Sequence, residues 1–585
     1  MFSLSILARA FIGLGLAACA ACVVIHPKSA DDSAPQAFYT VTAEIALARH
    51  QPRVAALQYA AAAASESDVG LLARATQVAA ESLQPSLAEK VAARWAQVDP
   101  KSVEAQRAAA QAALALDKID QASMHYRRVL DSSPAAADAE FASLEIFLAA
   151  NDNIFGARQL ADRLASGFPS SAPALRLQGF TALRADDPAA AVRSFTAALA
   201  VPAAVSQKID EDARRELLRT LARAQIMAGD ADGALAQAQE KVERDNTPVN
   251  RLDYALLLMT AQRDSAASQQ LEILAKNTDY KPVAMRLLGL VEFQEGHLDA
   301  ATARFAELLR ADKFLDDAFY YLGLIADRLH DPERALRLYA EVQNGDNTVP
   351  ALLRAATILQ THGAASAAEE LLDRLIEDEP QHAPEIWAAR ARIYADAGDL
   401  KRAAATLAQG IADYPDSVDL RYAMASTYEE EGQIPAALRE LTRLVKLRPD
   451  DPAALNALGY TLADHSRDLP RARKLIDRAF AAAPKNAAIL DSLGWVLFRQ
   501  GHSAEAETYL RTAYADDRGG DIAAHLGEVL WQLGKPADAE RVWSEAAAVD
   551  ADNRLLKATR KRLHAAPPSL PPSLPPPAHP LPPVS

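Results

Sequence analysis

Asn456-Ala457-Leu458-Gly459-Tyr460 returns as Asp491-Ser492-Leu493-Gly494-Trp495, and again as Ala524-His525-Leu526-Gly527-Glu528. About a dozen residues after each glycine stands an alanine: Ala472, Ala506 and Ala539. Seven residues further on stands another: Ala479, Ala513 and Ala546. A small residue recurring on one helix, answered by small residues on a second, is the mark of a two-helix repeat. Self-similarity at this period predicts a solenoid.

Outward from Ala453–Asp550 the same ruler reaches almost the whole chain. The small position of the first helix falls at Ala43, Thr76, Ala110, Glu145, Gly179, Ala222, Ala255, Gly289, Gly323, Ala356, Ala391, Ala425, Gly459, Gly494 and Gly527. These fifteen positions are 33 to 35 residues apart, except for one step of 43 between Gly179 and Ala222. The alanine of the second helix follows at Ala55, Ala88, Ala122, Ala157, Ala191, Ala234, Ala267, Ala301, Ala335, Ala368, Ala403 and Ala437. Pro100, Pro134, Pro169, Pro380, Pro415, Pro449 and Pro484 close repeats, because proline ends one helix and can open the next. The packing expectation is that Gly or Ala of the first helix faces Ala of the second, while Phe195, Phe305, Tyr339 and Trp543 fill wider gaps. Thr76 and Glu145 stand where a small residue is wanted, so their repeats are expected to be distorted.

This pattern resembles the tetratricopeptide repeat, whose period is about 34 residues. The resemblance covers most of residues 38 to 550 and is sharpest toward the C-terminal end. It implies an all-α solenoid of helix-turn-helix units curling into a right-handed superhelix around a concave groove lined by first-helix residues. The expected division is a degenerate N-terminal array at 37–204, a C-terminal array at 205–550 and a capping helix at 551–565. A proline-rich tail at 566–585 is expected to stay extended. The extra residues near Val201–Glu211 predict a longer loop or helix, or else a hinge between two arms. Ser466–Pro470 lengthens one turn by about one residue.

Composition agrees with a folded helical protein. The 585 residues are 50% hydrophobic and 24% charged, with only 23 glycines. A net charge of −15 argues against a nucleic-acid partner, since phosphates need Lys and Arg. The two cysteines, Cys19 and Cys22, both lie near the N-terminus, so the repeats hold no thiol for a disulfide, a zinc site or a nucleophile.

Residues 1–18 read as a signal segment, with Arg9 before a short apolar run that is too short to span a bilayer. Leu16-Ala17-Ala18-Cys19 resembles the lipobox of bacterial lipoproteins, which implies acylation of Cys19 and a tether over 19–36. Cys22 is a rival site, and a general secretory signal with incidental cysteines is the other reading. Ala20 after the cysteine implies, by the sorting rule of enteric lipoproteins, an outer-membrane location with the body facing the periplasm.

No phosphate-cradling loop, His-Glu-x-x-His or Gly-x-Ser-x-Gly occurs, so no catalytic residues, metal or cofactor are expected. An enzyme with a hidden site in the groove is the contrasting reading, though arrays of this kind bind rather than react. The register places Tyr422, Ser426, Asn456, Tyr460, Asp491, Trp495, Phe498, Glu528 and Trp531 along the groove. These residues either bind protein partners, as aromatic anchors do at interfaces, or pack between repeats. Phe319, Tyr320 and Tyr321 form a second candidate cluster, although helical spacing cannot turn all three inward. In overall plan the chain resembles proteobacterial tetratricopeptide lipoproteins. That implies a protein-binding scaffold held at the membrane by its N-terminal lipid. Its partner could be a periplasmic carboxyl-terminal processing protease with its cell-wall hydrolase substrates. A scaffold for polysaccharide export or envelope assembly is the alternative.

Overall fold

A computed structural model describes residues 36–65, 67–132, 136–202 and 211–565. The signal segment, Cys19, Cys22, Pro134 and the proline-rich tail lie outside the described residues. Within them are thirty-one α-helices and no strand, from α1 (Gln36–Ala48) and α2 (Pro52–Ala63) to α31 (Arg554–Ala565). Every one of the fifteen predicted small positions falls on an odd-numbered helix, and every paired alanine on the even-numbered helix that follows. The architecture is therefore fifteen helical hairpins stacked side by side, closed at the C-terminal end by α31.

The turn inside each hairpin has one geometry. Seven residues after the small position the backbone is left-handed in fourteen of the fifteen hairpins, from His50 to Gly534. In α27 (Ala487–Arg499) the ending is closed by two bonds, Gly501 N to Phe498 O at 2.9 Å and His502 N to Leu497 O at 2.9 Å. This pair of bonds satisfies carbonyls that a helix end would leave bare. Gly501 adopts the conformation freely, whereas Leu83, Gln262 and His330 hold it against the clash of a Cβ. In the hairpin containing Gly459 both Ser466 and Asp468 are left-handed, which accommodates the extra residue in that turn.

The packing inside the hairpins differs from the expectation in one respect. The space of a glycine's missing Cβ is taken first by a large side chain about sixteen residues on, with the alanine of the second helix also close: Ala472 O lies 3.1 Å from that position at Gly459 and Ala506 O 3.2 Å at Gly494. Phe195 lies over Gly179, Phe305 over Gly289, Tyr339 over Gly323 and Trp543 over Gly527. The same offset accounts for Thr76: sixteen residues after it stands Ala92, fully buried, so a larger first-helix residue is answered by a small one on the second helix. Thr76 spends its hydroxyl on Leu72 O at 2.8 Å, and Glu145 accepts from Arg176 Nε at 2.7 Å. The Thr76 hairpin keeps the common geometry, whereas the Glu145 hairpin is distorted as expected: its turn has no left-handed residue at Asp152, and α7 (Ala137–Ala149) and α8 (Ile154–Ala165) do not pack along each other as the paired helices of the other hairpins do.

The long step is taken up partly by α11 (Glu211–Met227), whose 17 residues exceed the length of any other helix. Its Leu217 and Ala224 share a core with Phe195 and Ala191, so the apolar seam continues across the step. Phe319, Tyr320 and Tyr321 are half-buried. Tyr321 stacks on Phe305 of the preceding hairpin at 5.1 Å, and Tyr320 leans on Tyr339 of its own hairpin at 6.3 Å, so one ring serves the seam between hairpins and the other the packing within one.

One continuous core runs from Ala425 to Leu563. Helix α31 contributes Leu556 and Leu563 to it while turning Lys557 and Lys561 outward, giving the stack a polar end. The other end is bare: Phe38, Val41 and Ile45 on α1 and Leu57 on α2 are all exposed.

Candidate functional site

The groove candidates lie on four successive first helices: α23 (Val418–Glu430), α25 (Pro452–Asp464), α27 and α29 (Gly520–Gln532). Each helix starts where a short polar side chain or a backbone turn frees it. Asp451 caps α25 through Ala453 N at 2.8 Å, and Asn486 caps α27 through Ile489 N at 3.1 Å. The helices stack in register, so residues one repeat apart meet across the seams.

Four of these residues meet around a histidine that sequence reasoning does not single out. His525, on α29, is only 3% exposed. Its Nδ1 sits 2.9 Å from Asp491 Oδ2 and 3.0 Å from Oδ1, and its Nε2 sits 3.4 Å from the Tyr460 hydroxyl. Trp495 stacks on the imidazole with ring centres 4.2 Å apart, and Phe498 lies 5.3 Å from Trp495. The indole N–H donates to Asp464 Oδ1 at 3.1 Å, and Arg499 donates to Asp464 O at 2.7 Å. Trp495 and Asp491 are buried, whereas Tyr460 and Phe498 keep one face half open.

The electrostatics follow from this enclosure. Burial opposes a charge on His525, but the Asp491 carboxylate against its Nδ1 outweighs burial and holds its pKa above the ordinary imidazole value. An imidazolium there can donate from Nδ1 to Asp491 and from Nε2 to Tyr460. The Tyr460 phenol is pushed well up, first by burial and then by the surrounding carboxylates of Asp464, Asp491, Asp521 and Glu429. Burial likewise raises Glu429, which accepts from the Thr461 hydroxyl at 2.7 Å.

The remaining candidates flank this cluster. Trp531 is half-buried, stacked on Trp543 at 5.7 Å and tilted against His564 at 5.5 Å. Glu528 is buried and paired with Arg562 of α31, so the last helix is tied to this face. Tyr422 and Asn456 are half-buried, and Tyr422 Oη and Asn456 Oδ1 find no hydrogen-bond partner among the described residues. Ser426 is exposed. The arrangement thus has a rigid inner layer of Asp491, His525 and Trp495, and an accessible outer layer of Tyr422, Asn456, Tyr460, Phe498 and Trp531. The register gave no signal for His525: two residues before Gly527, it stands where the preceding repeat has Ser492, and only the stacking of α27 on α29 brings it to Asp491 and Trp495.

Tetratricopeptide-repeat family profiles match residues 328–393 and 394–459, and again 462–521 and 492–554. Over these residues the chain carries tetratricopeptide repeats, within an all-α tetratricopeptide solenoid fold. Its repeats are similar to those of a TPR repeat-containing protein of Pseudomonas aeruginosa, 35% identical over 214 residues, or 37% of this chain and 36% of that one. They are also similar to bacteriophage adsorption protein A of Escherichia coli, 26% identical over 191 residues, or 33% of this chain and 19% of that one. The tetratricopeptide chain therefore spans about a third of the first relative and a fifth of the second. A thermophilic TPR protein of Thermus thermophilus aligns over all of its own length and 32% of this chain, with 18% identity and a TM-score of 0.29. Tetratricopeptide arrays are generally non-catalytic scaffolds for protein–protein interaction, and the matches at 462–521 and 492–554 fall on the repeats that hold the long continuous core.

Proposed function

We propose that this tetratricopeptide protein is a membrane-tethered periplasmic scaffold whose groove holds a carboxyl-terminal processing protease near its cell-wall hydrolase substrates. The observation that carries the binding part is the outer layer of Tyr422, Asn456, Tyr460, Phe498 and Trp531, half-buried on successive first helices and held from behind by buried partners. Rigid aromatic side chains with one open face are what dominate interface energies. The N-terminal lipobox around Cys19 supports the tether, and a lipid chain there would anchor the body without spanning the bilayer. No helix among the described residues is long and apolar enough to cross a membrane. The mechanism is concentration: two partners bound to one tethered surface meet as if at millimolar concentration, with no bond made by the scaffold.

The test is affinity capture from envelope extract with the purified chain as bait, followed by mass spectrometry and by reconstitution with the purified protease. Recovery of the protease, with binding lost in Tyr460→Ala/Trp531→Ala, supports the adaptor. Recovery of export or outer-membrane assembly components without a protease instead supports an envelope-assembly scaffold. The likeness to a protein of phage adsorption, an event at the cell envelope, lends that second reading weight. Membrane fractionation of Cys19→Ser tests the tether separately, and retention in the outer membrane would refute it.

A further inference from the structure

The solenoid touches itself. Gln84, in the turn between α3 (Val69–Glu81) and α4 (Pro85–Val98), donates from Nε2 to Asp413 O at 2.9 Å, across 329 residues. Two residues on, Ser86 N donates to Asp416 Oδ2 at 3.1 Å. Arg53, at the start of α2, pairs with Asp413 at 2.5 Å and lies over the Tyr414 ring at 4.9 Å. The left-handed Leu83 rests against the core that contains Tyr414 and Leu420. One hairpin further along, Asp117 lies within electrostatic reach of Arg448 and Asp450, and one hairpin beyond that, Asp152 acts on Asp419. The turns of the second and third hairpins therefore lie against the loops before the twelfth and thirteenth, and the turn of the fourth faces the first turn of α23.

This contact differs in kind from the seams between neighbouring hairpins. Those seams are continuous apolar cores of fully buried residues. The long-range contact is made of hydrogen bonds, an ion pair with both side chains about one-third exposed, a cation over a ring and a single leucine. A contact of partly exposed charges is weak and screened by salt, so it can part while every hairpin stays folded.

We propose that Arg53, Leu83, Gln84 and Ser86 form a releasable latch on the Asp413–Asp416 loop, closing the hairpins before α23 into one turn. Tyr422 follows that loop directly on α23, so the latch sits at the edge of the groove. Closed, the latch holds the first eleven hairpins as one turn, and α23 to α29 with their candidate groove continue beyond it; released, the concave side of that turn is an open arc that admits a wider partner. The consequence for partners rests on the groove reading above, whereas the latch itself does not.

The test uses the full chain with Lys90→Cys and Gln409→Cys as nitroxide sites and with Cys19 and Cys22 replaced by Ser. The spin–spin distance is then read by pulsed electron resonance. One short distance is expected at low ionic strength. It should lengthen in Arg53→Glu, return in the swap Arg53→Glu/Asp413→Arg, and lengthen in about 1 M salt, where the screening length is about 3 Å. Helicity by circular dichroism should be unchanged throughout. A long distance under all conditions, or a short one indifferent to both charge reversal and salt, overturns the latch. Partner capture by Arg53→Glu, measured in parallel, reports on the groove reading: a short, switchable distance without partner binding would sink that reading alone.

Discussion

Replacing Asp491 with Asn removes the charge that faces His525 while keeping an oxygen able to accept from Nδ1. The imidazole is 3% exposed, stacked on Trp495, and held in its charged form by Asp491. In the variant that charge is uncompensated, and losing one partner of a buried pair costs about 3–5 kcal/mol. The cost must depend on pH. The folded pKa of His525 lies above its unfolded value near 6.5, so its contribution is fully present below about pH 6.5 and fades as pH rises through the folded value. Each tenfold gain in proton affinity conferred by Asp491 is worth about 1.4 kcal/mol. The variant should therefore lose several kcal/mol at pH 5. At high pH, where neutral His525 still donates to the amide oxygen, it should lose only about 1 kcal/mol. The assay is urea unfolding at a series of pH values, read by tryptophan fluorescence, since Trp495, Trp531 and Trp543 all report on these last repeats. Equal losses at pH 5 and in alkali would refute a charged His525 in the fold.

Three further outcomes are expected. Gly527→Ala would place a Cβ inside the Trp543 ring, with Nε1 only 1.8 Å away, so it should destabilise the last hairpin by about 1–3 kcal/mol. Adding Trp543→Leu should relieve part of that loss, and failure of the pair to show coupling in thermal melts would argue against the contact. Gln262→Gly, at a left-handed turn, should raise stability by up to about 1 kcal/mol, whereas Ala at the same place should not; urea midpoints distinguish them. Trp495→Ala should lower the melting temperature sharply, at a cost of about 3–5 kcal/mol, because its ring is buried between His525 and Phe498. Phe498→Ala and Tyr460→Ala, with one face open, should affect partner capture more than melting.

The repeat was legible because its signals are local. A left-handed turn, a proline after a helix and a small residue at fixed spacing are each constrained by the chain within a few residues. For that reason the fifteen hairpins and the one irregular step could be placed from the residues alone. The partner of each small position was less legible. Spacing alone could not choose between the alanine twelve residues on and the ring sixteen residues on, because both fall near the same face of the second helix. Only the packing shows that Gly527 is filled by Trp543, that the buried Ala92 stands at the same offset from the larger Thr76, and that α7 and α8 around Glu145 part from the common hairpin.

The groove divides in the same way. First-helix register placed Tyr460, Asp491, Trp495, Phe498 and Trp531 on one surface, and that needed only a period of 3.6 residues. Which of them are buried depends on what the next repeat brings against them. His525 arrives from α29 to cover Asp491 and Trp495, while nothing equivalent among the described residues covers the outer edge of Phe498. The contact of Gln84 with Asp413 was beyond any local rule. Small rotations between hairpins add up over about ten repeats, and their sum decides where the second hairpin meets the loop before α23. By itself the sequence determined the hairpin, its period and its inward face, because those are set within one or two turns of helix. The tertiary structure alone decided which inward residues stay open and where the array returns to touch itself, because both depend on geometry summed across many repeats.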